Sequence, residues 1–415
     1  MSRGKLWKDR NVFWMEVLDG MIEEYEGNEE HNWQYFYVGS YTDEQHPDGI
    51  GLYKLDPVSG SIKQIASYSD LPHASFLALN EKRTILYAVS EAETFQGELG
   101  GSAAAYQIEP ETGKLSKLNE QPTHGSAPCY ISLEEIGNHV YVANYSSGSV
   151  TVFPIEGDGR LGQHTQLVQH EGELGPQTDR QEAPHAHSIV PSPNNRFVIS
   201  ADLGLDRLLV SAIDAESGLL HPHSEAAMKP GAGPRHLAYS ADSRYVYAIN
   251  ELDSTVTVLH FEADAGVLTA FQSISTLPEG FSGENTCADI HLSGDGRHVY
   301  ASNRGHDSIA VYAVDRASGT LSVVGWQATL GRTPRNFALS PQGEFLLAAN
   351  QDSNSITVSA WMRKPGCCKK RGNRRGIATG LHQVSLGKKG RLQACVSGLE
   401  LFVYGRACLT ALAHV

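Results

Sequence analysis

Four residues that are far apart in the chain carry side chains suited to binding an anion and moving a proton. They are His187, Arg235, Glu251 and Arg304. An arginine guanidinium stays charged and binds phosphate or carboxylate through two hydrogen bonds. A histidine near a carboxylate can accept or donate a proton close to neutral pH. This chemistry requires a fold that brings the four separated residues to one place.

A repeated strand organises most of the chain. It is apolar, ends in a small polar residue, and has its end points at Ser40, Ser90, Asn144, Asp202, Asn250, Asn303 and Asn350, which are 47 to 58 residues apart. A second strand and an Asp-to-Gly turn follow it, as at residues 214–218, where glycine supplies the positive φ. About four short strands per ~50 residues is typical of a β-propeller blade. The sequence therefore predicts an all-β, seven-bladed β-propeller over residues 35–358.

The same repeat predicts where the candidate residues meet. Two positions of each repeat should ring one mouth of the central channel, because equivalent residues are related by rotation about its axis. The first lies five residues before a turn serine and holds His187, Arg235, Ala288 and Arg335. The second follows the repeated strand and holds Glu91, Tyr145, Leu203, Glu251, Arg304 and Gln351. We therefore expect a catalytic site made of His187, Glu251, Arg235 and Arg304.

Further residues are candidates for binding a substrate at this mouth. They are His185, Arg335, His73 and His291. His185 and His187 are two apart on a predicted strand and so face the same side. With Asp289 and His291 they could alternatively bind a metal ion, although we predict no metal site. For any single charged residue, the simpler alternative is a solvated turn charge.

The charge distribution separates the chain into two parts. The chain has 33 Lys and Arg against 47 Asp and Glu, a net charge of −14. Residues 359–415 hold 11 basic residues and one acidic residue, a net charge of +10, which leaves −24 on residues 1–358. An acidic body argues against nucleic acid as a partner. No apolar run is long enough to span a membrane, and no signal-peptide core is present, so we expect a cytoplasmic protein without a membrane partner.

The segments around the candidate residues resemble the bacterial lactonase family of seven-bladed propellers. The resemblance lies in residues 180–188, 201–207, 233–236, 250–252, 302–304 and 333–336, and extends from about residue 37 to 358. Fungal carboxymuconate-lactonizing enzymes look related, and their His, Arg, Glu, Arg set matches His187, Arg235, Glu251 and Arg304.

The resemblance implies hydrolysis of 6-phospho-D-glucono-1,5-lactone to 6-phosphogluconate in the pentose phosphate pathway. No cofactor is implied, the expected partner is the phosphorylated sugar lactone, and the oligomeric state is not indicated. Glu251 or His187 would activate water, while Arg235 and Arg304 would hold the phosphate and offset the oxyanion charge. A muconate-type lactonizing enzyme and a non-catalytic propeller scaffold remain alternatives.

The two ends of the chain do not follow the repeat. Residues 1–34 are predicted to form an N-terminal extension outside the fold. Residues 359–415 form a basic tail with four cysteines, Cys367, Cys368, Cys395 and Cys408. A basic arm and a zinc element are possible interpretations, although the cysteine spacing fits no common zinc motif. A shifted reading frame is the third, because an offset reading of the codons for residues 361–370 restores the Asp-Glu-Glu-Thr-Gly turn of the repeat. This hypothesis predicts an irregular tail and an incomplete last blade.

Overall fold

The computed structural model describes residues 33–92, 94–134 and 137–360, together with the strands Phe13–Leu18, Leu381–Ser385 and Ala394–Val396. Within these residues every regular element is a β-strand, and no helix there could cross a membrane. The strands form seven antiparallel sheets of four or five strands, which we call blades 1 to 7. The predicted all-β, seven-bladed propeller is confirmed.

The first four blades contain strands β1 to β18. Blade 1 consists of β1 (Phe13–Leu18), β2 (Gln34–Ser40), β3 (Ile50–Leu55) and β4 (Ile62–Tyr68). Blade 2 consists of β5 (Phe76–Leu79), β6 (Ile85–Ser90), β9 (Ser102–Ile108) and β10 (Leu115–Pro122), and the connection between β6 and β9 forms a separate two-stranded hairpin of β7 (Thr94–Phe95) and β8 (Glu98–Leu99). Blade 3 consists of β11 (Pro128–Leu133), β12 (His139–Asn144), β13 (Ser149–Pro154) and β14 (Gln166–Gln169). Blade 4 consists of β15 (Ala186–Pro191), β16 (Phe197–Asp202), β17 (Arg207–Ile213) and β18 (Leu220–Ala227).

The last three blades contain strands β19 to β31. Blade 5 consists of β19 (Pro234–Tyr239), β20 (Tyr245–Asn250), β21 (Thr255–Glu262) and β22 (Val267–Ser275). Blade 6 consists of β23 (Thr286–Leu292), β24 (His298–Arg304), β25 (Ser308–Val314) and β26 (Leu321–Ala328). Blade 7 consists of β27 (Pro334–Leu339), β28 (Phe345–Asn350), β29 (Ser355–Ala360), β30 (Leu381–Ser385) and β31 (Ala394–Val396).

The first strand of each blade lies at the centre of the ring. These inner strands are β1, β5, β11, β15, β19, β23 and β27, and each contacts the next, with β27 contacting β1. The second strands are almost continuously buried, as in β12 and β20, because both faces pack against neighbouring blades. The fourth strands are largely exposed, as in β22. The hydrophobic core therefore lies between blades, and the inner strands surround a central channel.

The predicted turns pack each blade against its neighbour. Gly218 donates its N–H to the carbonyl of Asp214 at 2.8 Å and has a φ of 68°. A Cβ on Gly218 would come within 2.3 Å of the His139 ring in the preceding blade. Gly60 repeats this arrangement against Phe345, which joins blade 1 to blade 7. Glycine is thus required at these turns for two reasons: the backbone has a positive φ, and a side chain would clash with the neighbouring blade.

The two ends of the chain differ from the sequence-based expectations. Phe13–Leu18, inside the extension predicted to lie outside the fold, pairs with β2 as the inner strand of blade 1. Leu381–Ser385, inside the tail, pairs with β29 where the outer strand of blade 7 was expected to be missing. The physical reason is that an unpaired strand edge leaves backbone N–H and C=O groups without partners. Ala394–Val396 in the tail pairs in turn with Leu381–Ser385. Residues 1–12, 19–32, 361–380, 386–393 and 397–415 lie outside the described residues.

Candidate active site

A β-bulge interrupts the start of the inner strand in blades 3 to 7. The residues omitted from the strand pairing there are Cys129, His187, Arg235, Ala288, Asp289 and Arg335. A bulge redirects the side chain of the extra residue and is frequent next to active sites. Four of these residues, His187, Arg235, Ala288 and Arg335, are the ones found by counting back from the turn serine. The repeat therefore marks a recurrent backbone irregularity.

A backbone hydrogen bond fixes the second predicted position beside the bulge. In blade 5 the N–H of Glu251 donates to the carbonyl of Gly233 at 2.7 Å, two residues before Arg235. Equivalent bonds of 2.8 to 3.0 Å join Glu91 to His73, Tyr145 to Ala127, Leu203 to His185, and Gln351 to Thr333. In blades 3, 4, 5 and 7 the bulge residue and the residue after the second strand therefore lie side by side at one end of the blade.

The Glu251 carboxylate is buried and gathers three arginines and a histidine, a group that we call the Glu251 cluster. Its Oε2 atom lies 3.0 Å from Arg235 Nε, 2.9 Å from Arg304 Nη2 and 3.7 Å from His187 Nε2. Its Oε1 atom accepts a hydrogen bond of 2.5 Å from Arg180 Nη2. The structure thus brings together all four predicted catalytic residues and adds Arg180.

The Glu251 cluster has more positive than negative charge. Burial alone would raise the pKa of Glu251, but Arg304, Arg180 and Arg235 outweigh it and hold the pKa well below its ordinary range. Burial, Arg335 and Arg304 lower the pKa of Arg235 to about 9. An arginine whose pKa is lowered by other arginines marks a place where a bound anion would be stabilised.

Several buried N–H groups of these arginines have no hydrogen-bond acceptor within the described residues. They are Nη2 of Arg235, Nε of Arg304 and Nε of Arg335. Other donors of the same side chains are occupied: Arg235 Nη1 donates to the Ala288 carbonyl at 2.5 Å, and Arg304 Nη2 donates to the Cys287 carbonyl at 2.6 Å. Buried donors are normally satisfied, so donors without an acceptor suggest the site of an oxygen-rich ligand.

His187 is the buried histidine of the Glu251 cluster. Its Nδ1 atom lies 3.6 Å from the Sγ atom of Cys129, and its ring packs edge-on against Tyr145 and His236. Burial, followed by Arg235, lowers the pKa of His187 well below its ordinary value. The imidazole is therefore neutral at physiological pH and has the form that can accept a proton.

A second buried carboxylate, Asp289, organises a separate group on blades 5 to 7 that we call the Asp289 cluster. Its Oδ1 atom lies 2.9 Å from His236 Nδ1, and its Oδ2 atom lies 2.8 Å from His291 Nε2 and accepts a 2.5 Å hydrogen bond from Asn336 Nδ2. The group borders a cavity of about 160 Å³ that also touches Phe76 and Tyr130. The predicted substrate ligand His291 therefore lies in this cluster and not beside Glu251.

The other predicted substrate ligands, His185, His73 and Arg335, have different surroundings. His185 stacks on Tyr145 with ring centroids 4.4 Å apart, near His187. His73 accepts a hydrogen bond of 3.1 Å from the backbone N–H of Thr42. Arg335 is buried, and its pKa is raised because Tyr41, Glu91 and Glu251 outweigh the effect of burial.

The alternative of a metal site has no geometric support. His185 and His187 pack against Tyr145, whereas His291 binds Asp289. Among the residues that the structure describes, no three His, Cys, Asp or Glu side chains are placed to hold a metal ion.

Two residues of the site were not among the sequence-based candidates. Arg180 lies between β14 and β15 in a segment without a counterpart in other repeats, so repeat counting could not find it. Cys129 occupies the bulge position of blade 3. Counting back from the turn serine could not find it, because Glu134 stands in place of that serine. The signal for Arg180 was its place at the start of the motif at residues 180–188.

Comparisons with known proteins agree with this fold. Residues 35–379 match the family model described as lactonase, seven-bladed β-propeller. The chain is 36% identical over 322 residues to the 6-phosphogluconolactonase of Bacillus subtilis, covering 78% of this chain and 89% of the relative. It is 31% identical over 328 residues to that of Formosa agariphila, covering 78% and 91%. The solved structure of a periplasmic gluconolactonase from Pseudomonas aeruginosa matches with a TM-score of 0.75 and 33% identity, covering 88% of this chain and 99% of the other. The chain therefore belongs to the lactonase family of seven-bladed β-propellers.

Proposed function

We propose that the protein hydrolyses 6-phospho-D-glucono-1,5-lactone to 6-phosphogluconate in the pentose phosphate pathway. The observation that carries this proposal is the Glu251 cluster, in which three arginines surround one carboxylate and leave two positive charges in excess. A phosphorylated lactone supplies both the anion that this charge favours and a carbonyl oxygen that becomes negative during attack. Relatives named for this activity support the same conclusion.

His187 is the proposed general base. Both oxygens of Glu251 are already held by arginine N–H groups, so this carboxylate would have to give up one of these contacts to take a proton. Neutral His187 can take a proton from a water molecule while the water oxygen bonds to the lactone carbonyl carbon. Glu251 Oε2, 3.7 Å from His187 Nε2, would stabilise the imidazolium that forms.

Arg235 and Arg304 are proposed to stabilise the oxyanion. Their buried N–H groups without acceptors can donate to the carbonyl oxygen as it gains negative charge. When the tetrahedral intermediate collapses, the bond between the carbonyl carbon and the ring oxygen breaks. The proton held by His187 then passes to the ring oxygen, which becomes the hydroxyl group of 6-phosphogluconate.

Hydrolysis of a panel of lactones tests this proposal. The wild-type chain should accelerate opening of freshly prepared 6-phosphogluconolactone well above the spontaneous rate, and should act less well on glucono-1,5-lactone. A dicarboxylate such as cis,cis-muconate tests the muconate-type alternative, since it would be cyclised instead. Absence of turnover with all three compounds by a folded protein would favour the non-catalytic scaffold.

We also propose that the enzyme acts in the cytoplasm. The proposed substrate and product are phosphate esters, whose charge prevents free passage across a bilayer, and the buried cysteines Cys129 and Cys287 are free thiols. The P. aeruginosa relative is described as periplasmic. Fractionation of the host cell tests the location, and recovery in the periplasm would contradict it.

A further inference from the structure

Arg180 differs in position from the other arginines at the site. Arg235, Arg304 and Arg335 lie on β19, β24 and β27, whereas Arg180 lies in the connection between β14 and β15. Its side chain is 36% exposed, compared with 0% for Arg235 and 11% for Arg304. The exposure of these arginine side chains therefore ranges from fully buried, as in Arg235, to partly exposed, as in Arg180.

The connection that carries Arg180 is held in place by hydrogen bonds. The neighbouring Gln181 is buried, donates to the Leu203 carbonyl at 2.8 Å, and accepts from the backbone N–H of Gln177 at 3.0 Å. The Arg180 guanidinium itself donates to Glu251 Oε1 at 2.5 Å. Arg180 is thus an ordered, partly hydrated cation at the edge of the Glu251 cluster.

The substrate class has two ends with different solvation requirements. The lactone carbonyl is uncharged before attack and benefits from buried, preorganised donors. A phosphate group carries nearly two negative charges, and full removal of such a group from water is costly. The buried Arg235 and Arg304 therefore suit the lactone carbonyl, and the partly exposed Arg180 suits the phosphate group. An arginine can also bind phosphate through two parallel hydrogen bonds.

We propose that Arg180 binds the 6-phosphate and determines the preference for phosphorylated over unphosphorylated lactones. This inference rests on the proposed lactone hydrolysis. Without Arg180, Glu251 still contacts Arg235 and Arg304 at 3.0 and 2.9 Å, so the carboxylate stays ionised and paired. The chemistry at the carbonyl should therefore continue when Arg180 is replaced, whereas recognition of the phosphate should not.

The kinetic test compares two lactones in Arg180→Ala, Arg180→Lys and a control. We expect Arg180→Ala to lower kcat/KM for 6-phosphogluconolactone by about 10- to 100-fold, the range for a lost hydrogen bond between charged groups. For glucono-1,5-lactone the loss should be clearly smaller than for 6-phosphogluconolactone, and Arg180→Lys should recover part of the loss on the phosphorylated substrate. Arg196→Ala is the matched control, because Arg196 is an exposed arginine of blade 4 paired with Asp264. Equal losses on both lactones, or no loss on either, would overturn the inference.

A binding measurement separates this inference from the proposed function. Calorimetry with 6-phosphogluconate and gluconate requires no turnover. The wild-type protein should bind 6-phosphogluconate more tightly than gluconate, and Arg180→Ala should remove most of the difference. An unchanged difference in Arg180→Ala, or no difference in the wild type, would overturn the role of Arg180. Absence of lactone hydrolysis by a wild type that shows the expected binding would instead overturn the proposed function alone.

Discussion

Two buried carboxylates in neighbouring blades have opposite surroundings. Glu251, after the second strand of blade 5, contacts arginines from the connection before β15, from blade 5 and from blade 6. Asp289, on the inner strand of blade 6, contacts two histidines and the amide of Asn336. Both have lowered pKa values, because their partners outweigh the burial that alone would raise them.

The two carboxylates differ in how many N–H donors around them remain available to a ligand. Arginines around Glu251 keep buried N–H groups without acceptors, whereas Asp289 is surrounded by donors that it satisfies. Asp289 also connects to the first cluster, because it lies 2.9 Å from His236 Nδ1 while His236 Nε2 lies 3.2 Å from Arg235 Nη1. A buried carboxylate can therefore concentrate positive charge or fix the tautomer of a histidine. We infer that Glu251 serves binding and chemistry, and that Asp289 positions Arg235.

Replacing Arg235, the fully buried arginine of the Glu251 cluster, should have the largest effect. Arg235→Ala should lower kcat/KM for 6-phosphogluconolactone by about 10²- to 10³-fold, as for other lost oxyanion donors. Arg244→Ala is the matched control, since Arg244 is a half-exposed arginine of the same blade paired with Asp242. Steady-state kinetics check the result. Unchanged kcat/KM in Arg235→Ala would remove Arg235 from the site.

Replacing the second carboxylate should have a smaller effect that depends on Arg235. Asp289→Asn should lower kcat/KM about tenfold, the scale of one buried hydrogen bond to a charged group. Introduced into Arg235→Ala, the same change should cost almost nothing further, because the residue that it positions is absent. Kinetics of the double-mutant cycle measure this coupling. Additive losses would show that Asp289 acts independently of Arg235.

The pH dependence of stability should reflect the neutral histidine between the two carboxylates. Burial, followed by Arg235, lowers the pKa of His236 from 6.5 to about 3. Between these values the unfolded chain binds more protons, so the free energy of unfolding should decrease on acidification by up to about 1.4 kcal/mol per pH unit. Above pH 6.5 the contribution is fully present. Denaturant titrations at pH 6 and 4 should show a shallower dependence in His236→Asn, and an identical slope would contradict a lowered pKa.

Replacing the partly exposed member of the Asp289 cluster should have the smallest effect. His291 has a side chain that is 41% exposed, and Asp289 keeps its contacts with His236 and Asn336 without it. We expect His291→Ala to change kcat/KM by less than about threefold and to lower the free energy of unfolding by about 1 kcal/mol. Kinetics and denaturant titration check both values. A loss as large as that of Arg235→Ala would restore His291 as a substrate ligand.

The sequence predicted the residues that follow the repeat. The seven end points of the repeated strand were enough to predict a seven-bladed propeller. Counting five residues back from the turn serine identified His187, Arg235 and Arg335. Their shared position could be predicted because it corresponds to a recurrent bulge, whereas their roles in binding and catalysis stay predictions.

Residues outside the repeat were harder to predict. Arg180 lies in a connection whose path depends on tertiary contacts of Gln181, and no periodicity marks it. The pairing of Phe13–Leu18 with blade 1 depends on the free edge of β2 and on contacts with β5 and β27, which lie far away in the sequence. His291 satisfies the same chemical criteria as His187, but its neighbour Asp289 binds it.

The central claim is that the charge of Glu251 assembles the site. The most direct measurement is the rate of 6-phosphogluconolactone hydrolysis by Glu251→Gln beside the wild type, with circular dichroism to confirm that both are folded. Glutamine keeps the size of the side chain but cannot pair with three guanidinium groups. We predict that the folded variant loses at least about 10²-fold in kcat/KM, the scale of lost transition-state charge stabilisation. Wild-type kcat/KM in folded Glu251→Gln would contradict the account.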